Sequence, residues 1–175
     1  MQRPRNIVSV DAVEWTRSDQ GAIGAPPDDR FHRFQWRRAK LGAAAGGQLL
    51  GASLYELLPG HRLFPVHYHW ANEEALYVVE GSGTLTVPEG DFPIAAGDYA
   101  AFPRGPAGSH QVLNTSSAPL RVLIFSTMIH PDVVVHPRNG KVLIFAGGAP
   151  GGPPEGRTLQ ILRGDAGTSF WEGEE

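Results

Sequence analysis

Two histidines one residue apart, His67 and His69, stand just ahead of the paired glutamates Glu73 and Glu74 in the stretch "HYHWANEE". Successive side chains of a β-strand face opposite ways, so on a strand His67 and His69 share one face while Tyr68 takes the other. Neutral imidazoles so arranged suit zinc, iron, nickel or copper, and a carboxylate added to the set brings in manganese. After the turn residues "ANE" a strand can resume at Glu74, with Glu74, Leu76 and Val78 on one face. If that face continues the histidine face, Glu74 enters the same cavity and Glu73 turns away. His110, in "GSHQVLN", opens a later strand and is the supplier of a third imidazole. The candidate metal ligands are therefore His67, His69, Glu74 and His110. The remaining histidines, His32, His61, His130 and His136, have no partner at ligand spacing and read as structural or surface residues. Arg62 and Arg104 read as loop charges able to meet an anionic substrate, and Trp70, Tyr77, Tyr99 and Phe102 as core or rim.

The elements that must hold these residues are short strands. Apolar, β-rich runs such as "QLLGASLYELLPG", "ALYVVEGSGTLTV", "FPIAAGDYAAFP", "HQVLNT" and "LRVLIFSTM" are separated by Gly and Pro turn signals about every ten residues, the spacing of an all-β sandwich or barrel. Pro88 to Asp91 reads as a hairpin loop and Ala95 to Asp98 as a second tight turn. The one helical candidate is "RRAKLGAAAGG", residues 37 to 47, whose three glycines limit it to a turn or two. Residues 1–35, with "GAIGAPPDD" inside them, read as an irregular arm laid over the barrel. After Met128 come added strands, around "VVVHP" and "GKVLIFAGG", then a linker "GGAPGGPPEG" that no Lys-Ser or Lys-Thr follows and that is therefore no phosphate loop. The expected division is an arm and short helical turn over 1–47, a barrel over 48–128 and an extension with one or more strands over 129–175.

Bulk properties narrow the function classes. The chain has 175 residues, 41% of them apolar, enough for one domain with a real core. With no cysteine, disulfides, thiolate metal sites and cysteine nucleophiles are excluded, so a metal must rest on nitrogen and oxygen. A net charge of −3, with the basic residues scattered, argues against nucleic acid. No apolar run reaches signal-peptide or membrane-spanning length, and a soluble, cytoplasmic protein is expected.

At this level of detail the chain resembles the cupin superfamily. The first cupin motif is Gly, a short spacer, His-x-His, three or four residues, Glu, six residues and Gly; "GHRLFPVHYHWANEEALYVVEG" supplies Gly60, His67, His69, Glu74 and Gly81. Only Glu74, not Glu73, lies six residues before that glycine. The spacer after Gly60 is one residue longer than the usual five. The second motif, Gly, five residues, Pro-x-Gly, two residues, His, three residues, Asn, is similar to "GDYAAFPRGPAGSHQVLN", with Gly97, Pro103, Gly105, His110 and Asn114. Four residues rather than two separate Gly105 from His110, which lengthens a loop beside the cavity. The wider context also looks like a group of small, single-domain bacterial cupins of mostly unassigned activity. The resemblance implies a double-stranded β-helix, or jelly roll, with a divalent ion, Fe, Mn, Zn or Ni, on the four candidate ligands.

Three neutral imidazoles and one carboxylate leave such an ion with net positive charge and open positions, a site for an anionic or chelating small molecule. Cupin precedent implies oxygenases, decarboxylases and sugar or sugar-phosphate isomerases or epimerases. Oxygenation asks least of the surrounding residues and stands first. An isomerase needs a base and a phosphate clamp, for which Tyr99, His130, Arg62 and Arg104 are the candidates; a decarboxylase needs a further carboxylate, and Glu73 faces the wrong way. From a different class, a non-catalytic module that binds or senses a small molecule such as a sugar fits the same ligands. Cupins commonly pair through sheet edges and terminal arms, so a homodimer is expected, with the aromatic "SFW" near the end of the chain helping to cover such an edge.

Overall fold

The computed structural model describes residues 4–18 and 32–173, so the "GAIGAPPDD" stretch lies outside the described residues. In chain order the elements are β1 (Trp15–Arg17), β2 (Arg37–Ala39), α1 (Leu41–Ala44), β3 (Gly51–Leu57), β4 (Tyr68–His69), β5 (Glu74–Glu80), β6 (Ser82–Val87), β7 (Gly90–Ala95), β8 (Tyr99–Phe102), β9 (Gln111–Leu113), β10 (Leu120–Ser126), β11 (Asp132–His136), β12 (Lys141–Ala146) and β13 (Thr158–Arg163). All pairings are antiparallel among the described residues. One sheet runs β1-β2-β3-β10-β5-β8, a second β13-β12-β11-β4 and a third β7-β6-β9. Two isolated bridges, Arg62 with Leu113 and His67 with His110, join the segment around β4 to β9, so the second and third sheets make one wall opposite the first. The fold is all-β, the jelly roll expected from the sequence.

Alternation decides which side chains enter the roll. On β5, Leu76 and Val78 are fully buried while Tyr77 and Val79 are exposed. Leu57 and Tyr55 of β3, Leu120 and Val122 of β10, Leu85 of β6 and Val112 of β9 complete the same apolar core, which spans the gap between the walls. Burial of each large aliphatic side chain contributes about 1.5–3 kcal/mol before the entropy of ordering is subtracted.

Both proposed turns form. Pro88 and Glu89 are the two residues between the paired Val87 and Gly90. Asp98 closes the other, its Oδ2 accepting from the Ala95 N–H at 2.7 Å. The helix is shorter than the 37–47 stretch suggests: only Leu41–Ala44 is helical, because Arg37, Arg38 and Ala39 pair with Glu56, Tyr55 and Leu54 of β3. Nor is the described arm wholly irregular, since Trp15 to Arg17 pair with β2.

Two motif residues have purely architectural duties. Gly81 has φ of 84°, and a Cβ there would lie 2.5 Å from the Pro119 carbonyl oxygen, so only glycine lets the chain leave β5 beside that turn. Asn114 is fully buried; its Nδ2 donates to Leu57 O and Ala118 O, both at 2.8 Å, and its Oδ1 accepts from Ser116 N and Oγ. It ties the end of β3 to the turn before β10. Asn114→Ala removes the buried donor to Leu57 O, while Ala118 O keeps Ser116 Oγ, and should destabilise the protein by about 1–3 kcal/mol in urea denaturation. A change within a few tenths would show that water replaces the amide.

Candidate metal centre

Each candidate ligand is fixed by a different part of the wall. His67 and His110 face each other across a narrow antiparallel pair, His67 N–H to His110 O at 3.2 Å and His110 N–H to His67 O at 2.9 Å. Their rings lie 4.6 Å apart, centroid to centroid. His69, on β4, is paired with Val134 of β11. Glu74 opens β5 on the opposite wall, between Ser126 of β10 and Phe102 of β8. The residue alternation expected from the sequence holds: Glu74 faces the histidines and Glu73 is exposed.

All three imidazoles turn an Nε2 toward the Glu74 carboxylate. Glu74 Oε2 lies 3.9 Å from His67 Nε2, 3.5 Å from His69 Nε2 and 3.5 Å from His110 Nε2. These separations are too long for hydrogen bonds. Two donors that share a cation at about 2.1 Å stand roughly 3.0–3.5 Å apart, so the spacing fits a divalent ion at their centre after a small contraction. His67, His69 and Glu74 offer three ligand atoms within 4.8 Å of one another, and His110 stands outside that group, reaching it through Glu74.

Hydrogen bonding behind the rings fixes which nitrogen is free. His67 Nδ1 donates to Pro65 O and His110 Nδ1 to Gly108 O, each at 2.9 Å, and His69 Nδ1 donates to Asp132 Oδ2 at 2.6 Å. A carbonyl or carboxylate oxygen can only accept, so each Nδ1 carries the proton and each neutral ring turns its Nε2 lone pair inward. Phe102 stacks flat on His110 at 3.7 Å, holding that ring in its plane.

Burial and charge then divide the three imidazoles. Burial, reinforced by His110 and His69, holds His67 well below its ordinary range. Burial also lowers His110, outweighing the pull of Glu74. Burial pulls His69 down as well, but the Glu74 and Asp132 carboxylates outweigh it and leave His69 raised. Asp132 has no exposed side-chain surface; burial pushes its carboxyl up, and the His69 hydrogen bond, with Ala71 N–H and the Asn72 amide, brings it below the usual range. Asn72 is fixed in turn, its Nδ2 donating to Asp132 Oδ2 and Ile129 O and its Oδ1 accepting from Ile129 N and Thr127 Oγ1.

Sequence reasoning missed Asp132 and Asn72, and it did not place His136 beside the candidate ligands. That residue is no remote surface histidine: pairing of Val134 with His69 puts β11 against β4, and the His136 ring lies 6.0 Å from the His67 ring. Its Nδ1 is buried without a partner, and burial, then Lys141 and His69, lower its pKa to about 4. The alternation of Asp132, Val134 and His136 was a readable signal, but which strand they would face was not. Several other candidates stand apart. Tyr99 is 65% exposed opposite the outward Tyr77, and His130 and Arg104 are exposed. His61 sits in the turn after Gly60, its backbone bonded to Leu58 and Asn114.

The cupin-domain family profile matches residues 53–126, a range that holds all four converging donors but neither Asp132 nor His136. An uncharacterised protein of Methanocaldococcus jannaschii is 33% identical over 61 residues, 35% of this chain and 47% of that relative, so the match spans about half its length. A structure from Silicibacter pomeroyi, described as a sugar phosphate isomerase from a cupin superfamily, aligns with a TM-score of 0.75 and 25% identity over 91% of this chain and 94% of its own. One from Acidithiobacillus ferrooxidans, described provisionally as a sugar phosphate isomerase, aligns with a TM-score of 0.68 and 29% identity over 78% and 81%.

His110→Ala should strip the protein of cation during purification and dialysis, whereas His61→Ala should leave occupancy unchanged; equal losses would mean that His110 is not a donor. Asp132→Asn removes the charge behind His69 and should weaken cation affinity about 10- to 100-fold. His69 is raised while His67 and His110 are lowered, so His69 is the ring whose protonation first competes with a cation as pH falls. Calorimetry should therefore find cation affinity falling as pH drops from neutral, and an affinity that stays flat would contradict it.

Proposed function

The chain belongs to the cupin superfamily, and on that premise we propose that it is a metal-dependent enzyme acting on a small polar or anionic molecule, with His67, His69, Glu74 and His110 as its metal ligands. The observation that carries this reading is the aim of three Nε2 lone pairs at one carboxylate oxygen, with every Nδ1 committed elsewhere. Electron-rich atoms gathered this way repel one another unless a cation lies among them.

Sequence alone ranks oxygenation ahead of isomerisation. Two features favour the reverse order. Structures described as sugar phosphate isomerases align over most of the chain, at 25% and 29% identity. The second feature is His136, beside the ligand cluster with a buried, unpartnered Nδ1. A divalent cation on these ligands supplies Lewis acidity that polarises a carbonyl and acidifies the C–H beside it. The rest is the work of the chain. His67 and His110 stay neutral, Asp132 holds His69 in register, and Phe102 keeps the His110 ring from turning. His136, neutral at pH 7 with a pKa of about 4, can accept a proton at Nδ1 and return it to the neighbouring carbon.

The proposal keeps the expectation of a homodimer, to which the exposed pair Phe170 and Trp171 offers an apolar contact; a single monomeric mass in light scattering at assay concentration would remove it. Among the described residues no helix is long and apolar enough to cross a membrane. A cytoplasmic location stays part of the proposal.

Cation-loaded protein incubated with aldose and ketose phosphates in D2O should interconvert one pair and place deuterium on the carbon next to the carbonyl. His136→Gln should slow that exchange about 100-fold with cation content unchanged. Oxygen uptake by iron-loaded protein without any exchange would return oxygenation to first place, and tight binding with neither reaction would leave a binding module.

A further inference from the structure

Adjacent arginines of β2 meet opposite fates. Arg37 points out of the roll, where it pairs with Glu56 at 2.7 Å and lies over the Trp15 ring. Arg38 is cross-strand partner to Tyr55, a residue of the inner core, and so points in. Its Nη1 donates to Tyr55 Oη at 3.2 Å, and its guanidinium lies against the Trp36 and Tyr55 rings. Among the described residues no carboxylate lies within 4.0 Å of Arg38, and its Nε is buried with no hydrogen-bond partner. A guanidinium offers five donors in a planar fork matched to carboxylate and phosphate oxygens. Four of those donors are not accounted for by the bond to Tyr55.

Positive charge accumulates around it. Lys40 follows two residues on, and after burial it is the charges of Arg38 and Arg157 that hold its ammonium below the ordinary range, opposed only by Glu155. Arg157 is tied by Nη1 to the carbonyls of Ala149, Pro150 and Gly152, so it stays in place and adds field rather than reach. Gathering three cations around one carboxylate costs free energy that a bound anion recovers. The ligand cluster is close by. The Phe64 ring lies 5.9 Å from the Tyr55 ring and 5.9 Å from the His67 ring, so one aromatic ring stands between the residue that braces Arg38 and the first of the candidate ligands. Tyr55 feels both: burial raises its phenol, Arg38 lowers it and Glu74 raises it again.

We propose that Arg38, braced by Tyr55 and flanked by Lys40, binds the anionic end of a bifunctional substrate whose opposite, oxygen-bearing end reaches the His67, His69, Glu74 and His110 cluster. The two-ended substrate rests on the metal reading above, whereas the anion subsite stands on its own residues. The chemistry that recognises it is a phosphate or carboxylate group. Arg62 and Arg104, the candidates from sequence, are not needed for it.

The test uses cation-free protein, so that no anion can bind through a metal, titrated with inorganic phosphate and separately with acetate by calorimetry, with the fluorescence of Trp36 as a second signal. Arg38→Met should weaken the better anion about 10- to 100-fold and Arg38→Lys less, while Arg104→Met, an exposed loop change, leaves it unaltered. Tyr55→Phe, which keeps the ring and removes the brace, should weaken it about two- to tenfold and serves as the readout if Arg38→Met does not fold. A preference for phosphate assigns a phosphorylated substrate and one for acetate a carboxylate. Wild-type protein that binds neither anion, or an Arg38→Met variant that folds and binds like wild type, overturns the subsite. Cation loading of the same samples separates the two readings. An Arg38-dependent anion with no cation uptake leaves the subsite and removes the metal, and full uptake with no such anion does the opposite.

Discussion

Three imidazoles can present lone pairs to a single point only if each is held in one tautomer and one orientation, and that constraint organises much of this molecule. It requires an acceptor behind every ring. Two are backbone carbonyls, Pro65 O and Gly108 O, each two residues before its histidine, so the local chain path settles them. The third cannot be local. His69 sits on a two-residue strand whose acceptor, Asp132, is brought from 63 residues away by β11. A carboxylate there also does what a carbonyl cannot: it makes His69 the most basic of the three rings, in contrast to the lowered His67 and His110.

That demand accounts for the role of the chain after Met128. β11 completes the wall around β4 and brings Asp132 and His136 to the histidines, while its Val134 packs with Leu143 and Phe145 of β12 and Leu159 of β13. The same segment therefore stabilises the wall and supplies two polar residues at the site. On the opposite wall, the inward register of Tyr55 and Arg38 meets the ring of Phe64, which also touches His67, so packing and site geometry share the same side chains.

The strands, the two tight turns and the inward face of Glu74 were legible in the sequence because they depend on local rules: alternation, turn chemistry and motif spacing. What the sequence left unread is pairing between distant strands. Asp132 and His136 carry no spacing that links them to His69, and only the register of β11 on β4 does so. Arg38 was read as part of a helical stretch because "RRAKLGAAAGG" has helix-compatible residues; pairing with β3 overrides that preference and turns one arginine outward and the next inward. The place of His136 beside the His67 ring was unread for the same reason, since nothing within "VVVHP" tells which neighbour it faces.

The central claim is that four side chains share one cation, and anomalous diffraction at the absorption edge of a reconstituted divalent metal tests it most directly. One peak per chain, about 2.0–2.3 Å from the Nε2 atoms of His67, His69 and His110 and from a Glu74 carboxylate oxygen, is the expected result. A peak on any Nδ1, a peak elsewhere on the protein, or none after soaking in excess metal would contradict it.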